Sequence, residues 1–481
     1  MPAPAWTVEV EAVRALAASE ATRSELVERL AKLPLDQQVG TRVNVVWVAL
    51  SSLRRAADAM PSSIASLQPL RRALASARAE LPRRRFELAI LRCEAEVLAA
   101  IADGSVATLG TCARDDRELV APSYAASLSV EALAAMGRAS AMRVRADGLM
   151  ELAVDERPGV AAAALSALAD LEDPRVNPLL REALLRADAG VLAAAAGAIA
   201  ARAADRGRRD PEAVPALEAL VGRADARDTL EARLAAVEAL GALARSTGAA
   251  VGELQRDGAA IPKLAMDGDD ARAWLQRVVV PLAADRHDAV RRAAWLALAG
   301  HDDLREAFAL AVPRRFDHGF APEVEAAAAA AGAEAVAGLR VHTGAGVFEI
   351  SFDGSPAPIA RANLVALARA GYFDGLRFHR VVPGFVVQGG DPRGDGYGGP
   401  GWVVPCEWSE LRYERGTVGI ALAGKDTGGS QFFVTHTRQP HLDGRFPVVG
   451  RVREGMEVVD ALLPQDVIER VEVIPAAVSS P

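Results

Sequence analysis

The hydrophobic period changes once along this 481-residue chain, near residue 338, and that change limits what each side of it can fold into. Upstream, apolar residues recur three and four apart, as in the unit at 160–168 with Val160, Leu165 and Leu168 on one stripe. Related units lie at 191–199, 234–243 and 290–298. Such spacing makes one apolar helical face. Turns with Asp, Pro or Gly precede the units, and second helices sit between them, as at 177–185 with Leu179, Leu180 and Leu184. Downstream, Val347, Glu349 and Ser351 alternate with Phe348, Ile350 and Phe352, the pattern of a half-buried strand. Residues 339–343 are its expected hairpin partner across Gly344 and Gly346. Pro358 is expected to open a helix that stops at Gly371 in the C′ position. A late helix is expected at 454–463.

Length alone suggests about three domains, and the composition allows large cores to be buried. The chain is 51% hydrophobic and only 5% aromatic, so alanine supplies much of the apolar surface and favours closely packed helices. Net charge is −8 with no basic stripe, which argues against nucleic acid as a partner. No stretch is long and apolar enough to span a bilayer, and the first residues lack a basic and apolar leader pattern. The expected compartment is cytoplasmic, or periplasmic or exported if a signal is missing from this chain. Cys93, Cys112 and Cys406 are scattered and odd in number, so free thiols are expected and no zinc site.

The spacing of the units, about thirty to fifty-odd residues, overlaps that of helix-pair repeats. They resemble HEAT repeats, in which each repeat buries its stripe against its neighbours. An irregular helical bundle is the competing reading. Residues 1–150 are less regular, with amphipathic helices expected at 10–31, 40–60 and 68–102, the last broken near Pro82. The expected division is 1–150 as the start of a solenoid, 151–312 as HEAT-like repeats, 313–337 as a linker with an Ala-rich helix, and 338–476 as a strand-rich domain.

Three segments carry chemistry. Residues 378–391 (FHRVVPGFVVQGGD) place Arg380, Phe385 and Gln388 together: a fixed cation, an aromatic face and an amide. Residues 428–434 (GGSQFFV) and 441–446 (HLDGRF) follow. These segments in this order resemble the cyclophilins, the peptidyl-prolyl cis-trans isomerases. Phe373, Leu376, Phe378, His379 and Arg380 also fall at that family's signature spacing. The resemblance implies a closed β-barrel with two capping helices, joined here to an all-α HEAT-like solenoid. It implies an isomerase of X-Pro bonds that uses neither cofactor nor metal. Arg380, Phe385 and Gln388 would be catalytic. Val386, Ala421, Leu422, Gln431, Phe433, His441, Leu442 and Phe446 would bind substrate. Leu422 stands where many members carry Asn, His441 where Trp is frequent and Phe446 where His is. Val386 is shorter than the usual Met or Ile. These departures bear on substrate preference and cyclosporin sensitivity more than on activity.

The expected partners are proline-containing clients and a protein, unidentified, that binds the helical array. The alternative is a scaffold or chaperone-like module that holds proline-containing segments without turnover. Gly394, Gly396 and Gly399 fit a dinucleotide fingerprint only by letters, since Pro400 follows and no strand–turn–helix frame surrounds them. His379, Asp391, His436 and His441 match no common ligand spacing, and 435–437 (THT) is expected to be solvated.

Overall fold

The structure is a computed structural model. It describes residues 5–18, 42–55, 82–102, 142–203, 208–222, 230–245, 268–285, 287–313 and 336–476, with short pieces between 22 and 133. The Ala-rich linker helix expected after Pro322 lies outside the described residues. The chain divides into two compact units. One comprises Met1–Gly148, Phe320–Ala423 and Thr427–Pro481; the other comprises Leu149–Gly319 with Gly424–Asp426.

The first unit opens with helices α1 (Ala5–Ala18), α2 (Arg42–Arg55) and α3 (Pro82–Ala102). Pro82 starts α3, at the break expected in the 68–102 helix. At the first helical position its missing N–H costs nothing, because that donor has no intrahelical acceptor anyway. Leu50 and Leu53 of α2 and Ile90 and Leu91 of α3 are buried in the same continuous apolar core as Phe348, Phe373 and Phe378 of the strand-rich region. Residues 1–148 therefore group with the sheet, which differs from the expected opening of a solenoid. Cys93 of α3 is disulfide-bonded, which corrects the expectation of a free thiol at that residue. Spacing along the chain does not report which thiols meet in space.

The second unit is helical: α4 (Met142–Ala153, entered from the first unit), α5 (Pro158–Ala167), α6 (Val176–Ala183), α7 (Ala189–Ala203), α8 (Val214–Val221), α9 (Leu230–Arg245), α10 (Gly268–Val278), α11 (Asp288–Ala297) and α12 (Asp302–Ala311). Helices α5, α7, α9 and α11 pack in succession. Alanine lets these backbones approach: in α7, Ala195 and Ala196 are fully buried beside Val191 and Leu192. The turns are built by one repeated device. Asp155 accepts from the backbone N of Arg157 at 2.8 Å and from its guanidinium, and Asp173 does the same for Arg175 at 2.9 Å. Asp285 accepts from the N of His287 at 2.9 Å just before α11. Such side-chain turns fix the chain's entry into the next helix.

The strand-rich region is one curled antiparallel sheet. Its strands are β1 (Val336–Thr343), β2 (Gly346–Ser351), β3 (Arg380–Val382), β4 (Val386–Gly389), β5 (Thr417–Ile420), β6 (Phe432–Thr435), β7 (Val448–Glu454) and β8 (Ile468–Pro475), in the order β3-β4-β6-β5-β7-β2-β1-β8. The β1–β2 hairpin pairs Val341 with Phe348, as the alternation predicts. Helix α13 (Pro358–Arg369) ends in a Schellman motif: Tyr372 N reaches Leu367 O at 3.0 Å, Gly371 N reaches Ala368 O at 3.0 Å, and Gly371 takes φ +67°. A short helix, α14 (Met456–Ala461), precedes β8. The two outer strands are not a ladder; an isolated bridge joins Arg377, just before β3, to Val467, just before β8. Among the described residues, no helix is long and apolar enough to cross a membrane.

Candidate active site

The site grows from the β3–β4 hairpin. Val382, Pro383, Gly384 and Phe385 form its turn, closed by Phe385 N to Val382 O at 2.9 Å. Proline at the second position and Gly384 at φ +75° suit a type II turn, whose third residue must enter the left-handed region. The register sets Arg380 directly opposite Gln388, so both side chains leave the same face. Arg380 Nη1 lies 3.4 Å from Gln388 Oε1, and its Cζ lies 5.4 Å from the centre of the Phe385 ring. That distance is within cation–π range.

A chain of amides continues from there. Gln388 Nε2 donates to Gln431 Oε1 at 2.9 Å, and Gln431 Nε2 donates to the carbonyls of Gly396 and Gly398 at 2.8 and 2.9 Å. Those carbonyls are fixed by Asp391, a buried carboxylate that accepts from the backbone N of Arg393, Asp395 and Gly396. The Gly-rich loop that resembles a nucleotide fingerprint by letters thus serves to hold Gln431.

Beside this polar line lies a small apolar cluster, separate from the main core: Val386, Tyr413, Phe433, Leu442 and Val448, with Phe385, Leu411, Ala421 and Phe446 packed on it. Phe433 meets Phe446 edge-on at 5.8 Å and stacks on Tyr413 at 5.5 Å. His441 tilts against Phe385 at 5.3 Å. The sequence-predicted residues Phe385, Val386, Ala421, Phe433, Leu442 and Phe446 therefore converge, with Arg380, Gln388 and Gln431 along one side and His441 on the rim. Leu422 does not join them; it packs against the main core.

Residues missed from sequence include Tyr413, Leu411, Val448 and Asp391. Tyr413 is fully buried and donates from its hydroxyl to Pro447 O at 3.1 Å; burial pushes its pKa well up. It sits among charged neighbours, Arg412, Glu414 and Arg415, so the sequence around it carries no sign of burial. The 435–437 segment is not solvated as expected. Thr435 and His436 are buried, because Thr435 pairs with Val386 across β4–β6 and His436 N donates to Phe385 O at 2.8 Å. Burial lowers the pKa of His436 and of His379, in the latter against the nearby Asp391 and Asp395.

A family profile described as "Cyclophilin type peptidyl-prolyl cis-trans isomerase/CLD" matches residues 338–475. A peptidyl-prolyl cis-trans isomerase of Synechococcus elongatus is 44% identical over 136 residues, which cover 94% of that protein and 28% of this chain. The chain belongs to the cyclophilin family. Peptidyl-prolyl cis-trans isomerase B of Bacillus subtilis is 47% identical over 128 residues, 88% of its length and 26% of this chain. An isomerase of Helicobacter pylori is 44% identical over 135 residues, 83% of its length and 27% of this chain. The cyclophilin match thus accounts for the sheet region and its two helices, and leaves the helices before residue 338 outside it.

Proposed function

We propose that this cyclophilin catalyses X-Pro isomerisation through Arg380, Phe385 and Gln388, on clients whose proline ring sits on Phe433. The reaction has a physical barrier of about 18–20 kcal/mol, from the partial double bond of the peptide C–N. Twisting that bond leaves the prolyl nitrogen as a pyramidal acceptor, which the planar ground state lacks. A donor aimed at it stabilises only the transition state. A guanidinium suits this task because it is permanently charged and has several donors. The opposed Arg380–Gln388 pair beside the Phe433 cluster is the observation that carries the assignment. Gln388 and Gln431 would orient the guanidinium and meet a client carbonyl. Val386, Ala421, Leu442 and Phe446 would complete the proline pocket, with His441 at its rim. Leu422, turned to the main core, would contribute through backbone alone.

Three finer readings accompany this one. The curled sheet closes into a barrel, supported by the Arg377–Val467 bridge. Residues 151–312 form HEAT-like repeats that bind a protein partner, supported by the succession α5, α7, α9, α11 and by the repeated Asp turns; the isomerase domain spans 338–476, with 313–337 linking them. The disulfide at Cys93 supports an oxidising compartment over the expected cytoplasm. The test of the site is turnover of an Ala-Pro peptide by the full chain. Phe433→Ala should raise KM, and Arg380→Ala should lower kcat. A full chain that binds proline-containing peptide with no turnover above the spontaneous rate would return the scaffold reading, and variants that turn over like wild type would remove these residues from the site.

A further inference from the structure

Strand β3 carries Arg380, yet it is three residues long and lies at the edge of the sheet, with β4 as its ladder partner. Catalytic positioning tolerates errors of only about 0.5 Å. A short edge strand with one neighbour is a poor platform for that. Two arginines from the helices that precede the cyclophilin match act on this strand, one at each end.

Arg14 of α1 donates from Nη2 to Pro383 O at 2.6 Å. Pro383 is the second residue of the turn that follows β3 and leads to Phe385. The next carbonyl, Gly384 O, is held from the sheet side by Thr437 Oγ1 at 2.7 Å and Gln439 Nε2 at 2.8 Å. The turn is therefore gripped on successive carbonyls by different parts of the chain. At the other end, Arg83 in the first turn of α3 pairs with the buried carboxylate of Asp466 and donates to Ala461 O at 2.7 Å, at the C-terminus of α14. Asp466 accepts from Leu463 N through its side chain at 2.7 Å. Its backbone carbonyl accepts from Phe378 N at 2.8 Å, and Gln465 N donates to Phe378 O at 2.9 Å. Phe378 stands two residues before Arg380.

We propose that α1 and α3 are a built-in brace of the isomerase, and that Arg14 and Arg83 are positioning residues that fix the two ends of the strand bearing Arg380. The inference rests on the assignment of Arg380 and Phe385 to the reaction. The brace is an addition of this chain: the cyclophilin segment alone spans 94% and 88% of the cyanobacterial and Bacillus relatives, which leaves them little length for such helices.

The test is peptide isomerisation by the full chain carrying Arg14→Ala, Arg14→Lys, Arg83→Ala, the double Ala variant, or Arg380→Ala. It is read together with hydrogen exchange of peptides covering 378–390. Misplacing a reacting group by a fraction of an ångström costs rate more than binding, so kcat should fall about threefold in Arg14→Ala and about tenfold in the double variant, with KM nearly constant. Arg14→Lys, which keeps a donor, should recover to within about twofold of wild type. Exchange should rise at 378–390 and stay unchanged in the β1–β2 hairpin. Wild-type kcat in the Ala variants overturns the brace. So does a loss of rate with exchange rising equally throughout the sheet, since that marks general destabilisation. If Arg83→Ala leaves Asp466 too poorly paired to fold, the comparison of Arg14→Ala with Arg14→Lys decides alone. Unchanged turnover in Arg380→Ala is a different failure: it removes the assignment of the site on which the brace depends.

Discussion

Arg202 and Arg233 of the helical unit and Arg380 of the sheet unit carry the same side chain into opposite settings. Arg202 and Arg233 are each 3% exposed, whereas Arg380 is exposed. Arg202 spends its donors on Leu171 O at 2.6 Å, Ala169 O at 3.3 Å and Asn177 Oδ1 at 2.8 Å. Arg233 donates to Val221 O at 3.0 Å and pairs with Asp285. These guanidiniums satisfy carbonyls that the ends of closely packed helices leave open. Arg380 instead meets an amide oxygen at the long distance of 3.4 Å and a ring face. In one unit the guanidinium is buried among helix ends; in the other it is exposed, beside the Phe385 ring that packs on the small apolar cluster. The lesson is that an arginine's role is decided by what surrounds its donors.

The sharpest way to break this comparison is Arg233→Ala. Removing one member of a buried pair costs about 3–5 kcal/mol, because the remaining charge is left uncompensated. Denaturant unfolding should show that loss in the helical unit, while isomerase kcat/KM stays at the wild-type value. Next comes Arg380→Ala, for which kcat/KM should drop by about a hundred- to a thousandfold, the range for losing one transition-state donor. Its melting temperature should hold, since the side chain is exposed; a large drop would show that Arg380 is structural after all. Smaller again is Asp391→Ala. It strips three backbone N–H groups of their acceptor and should destabilise the sheet unit by about 1–3 kcal/mol. It should also lower kcat, by releasing Gln431 and through it Gln388; an unchanged kcat in the folded variant would disconnect the loop from catalysis.

Acidification gives a graded test. Burial depresses the folded-state pKa of both His379 and His436. For a depressed histidine the unfolded chain binds the proton more readily. Its contribution to stability is therefore complete above the unfolded value of about 6.5 and is lost as pH falls through the folded value. Urea midpoints should decline below about pH 6.5, and His379→Gln should flatten part of that slope. The smallest effect expected is at Leu310, 82% exposed in α12, where Leu310→Ser should change stability by no more than about 0.5 kcal/mol.

Much of the sheet region was legible because its rules are local. Alternation gave the β1–β2 hairpin, Pro358 and Gly371 bounded α13, and residues 378–391 put Arg380, Phe385 and Gln388 into one short segment. The convergence of Phe433, Leu442 and Phe446 with them was legible only through family resemblance, since nothing local links residues fifty apart. Tyr413 and Asp391 escaped because one buried hydroxyl and one buried carboxylate look like ordinary polar residues until their partners are known. Residues 1–150 were assigned by helical character alone. An amphipathic stripe says that a helix must be covered but not by what, and here the cover is the sheet's own core. Leu422 was placed by its position in the family pattern, yet a larger apolar side chain finds more surface to bury in the main core.

The sheet unit is discontinuous in sequence, and that has a consequence for how the protein is made. Roughly 170 residues of the other unit separate its opening helices from the strands that share their core. At typical elongation rates of about 5–20 residues per second, that interval lasts on the order of 10–30 s. For that time the apolar faces of α2 and α3 leave the ribosome without their final cover, and the helical array is completed first. A protein that speeds slow steps in the folding of others must itself wait during synthesis for its two ends to meet.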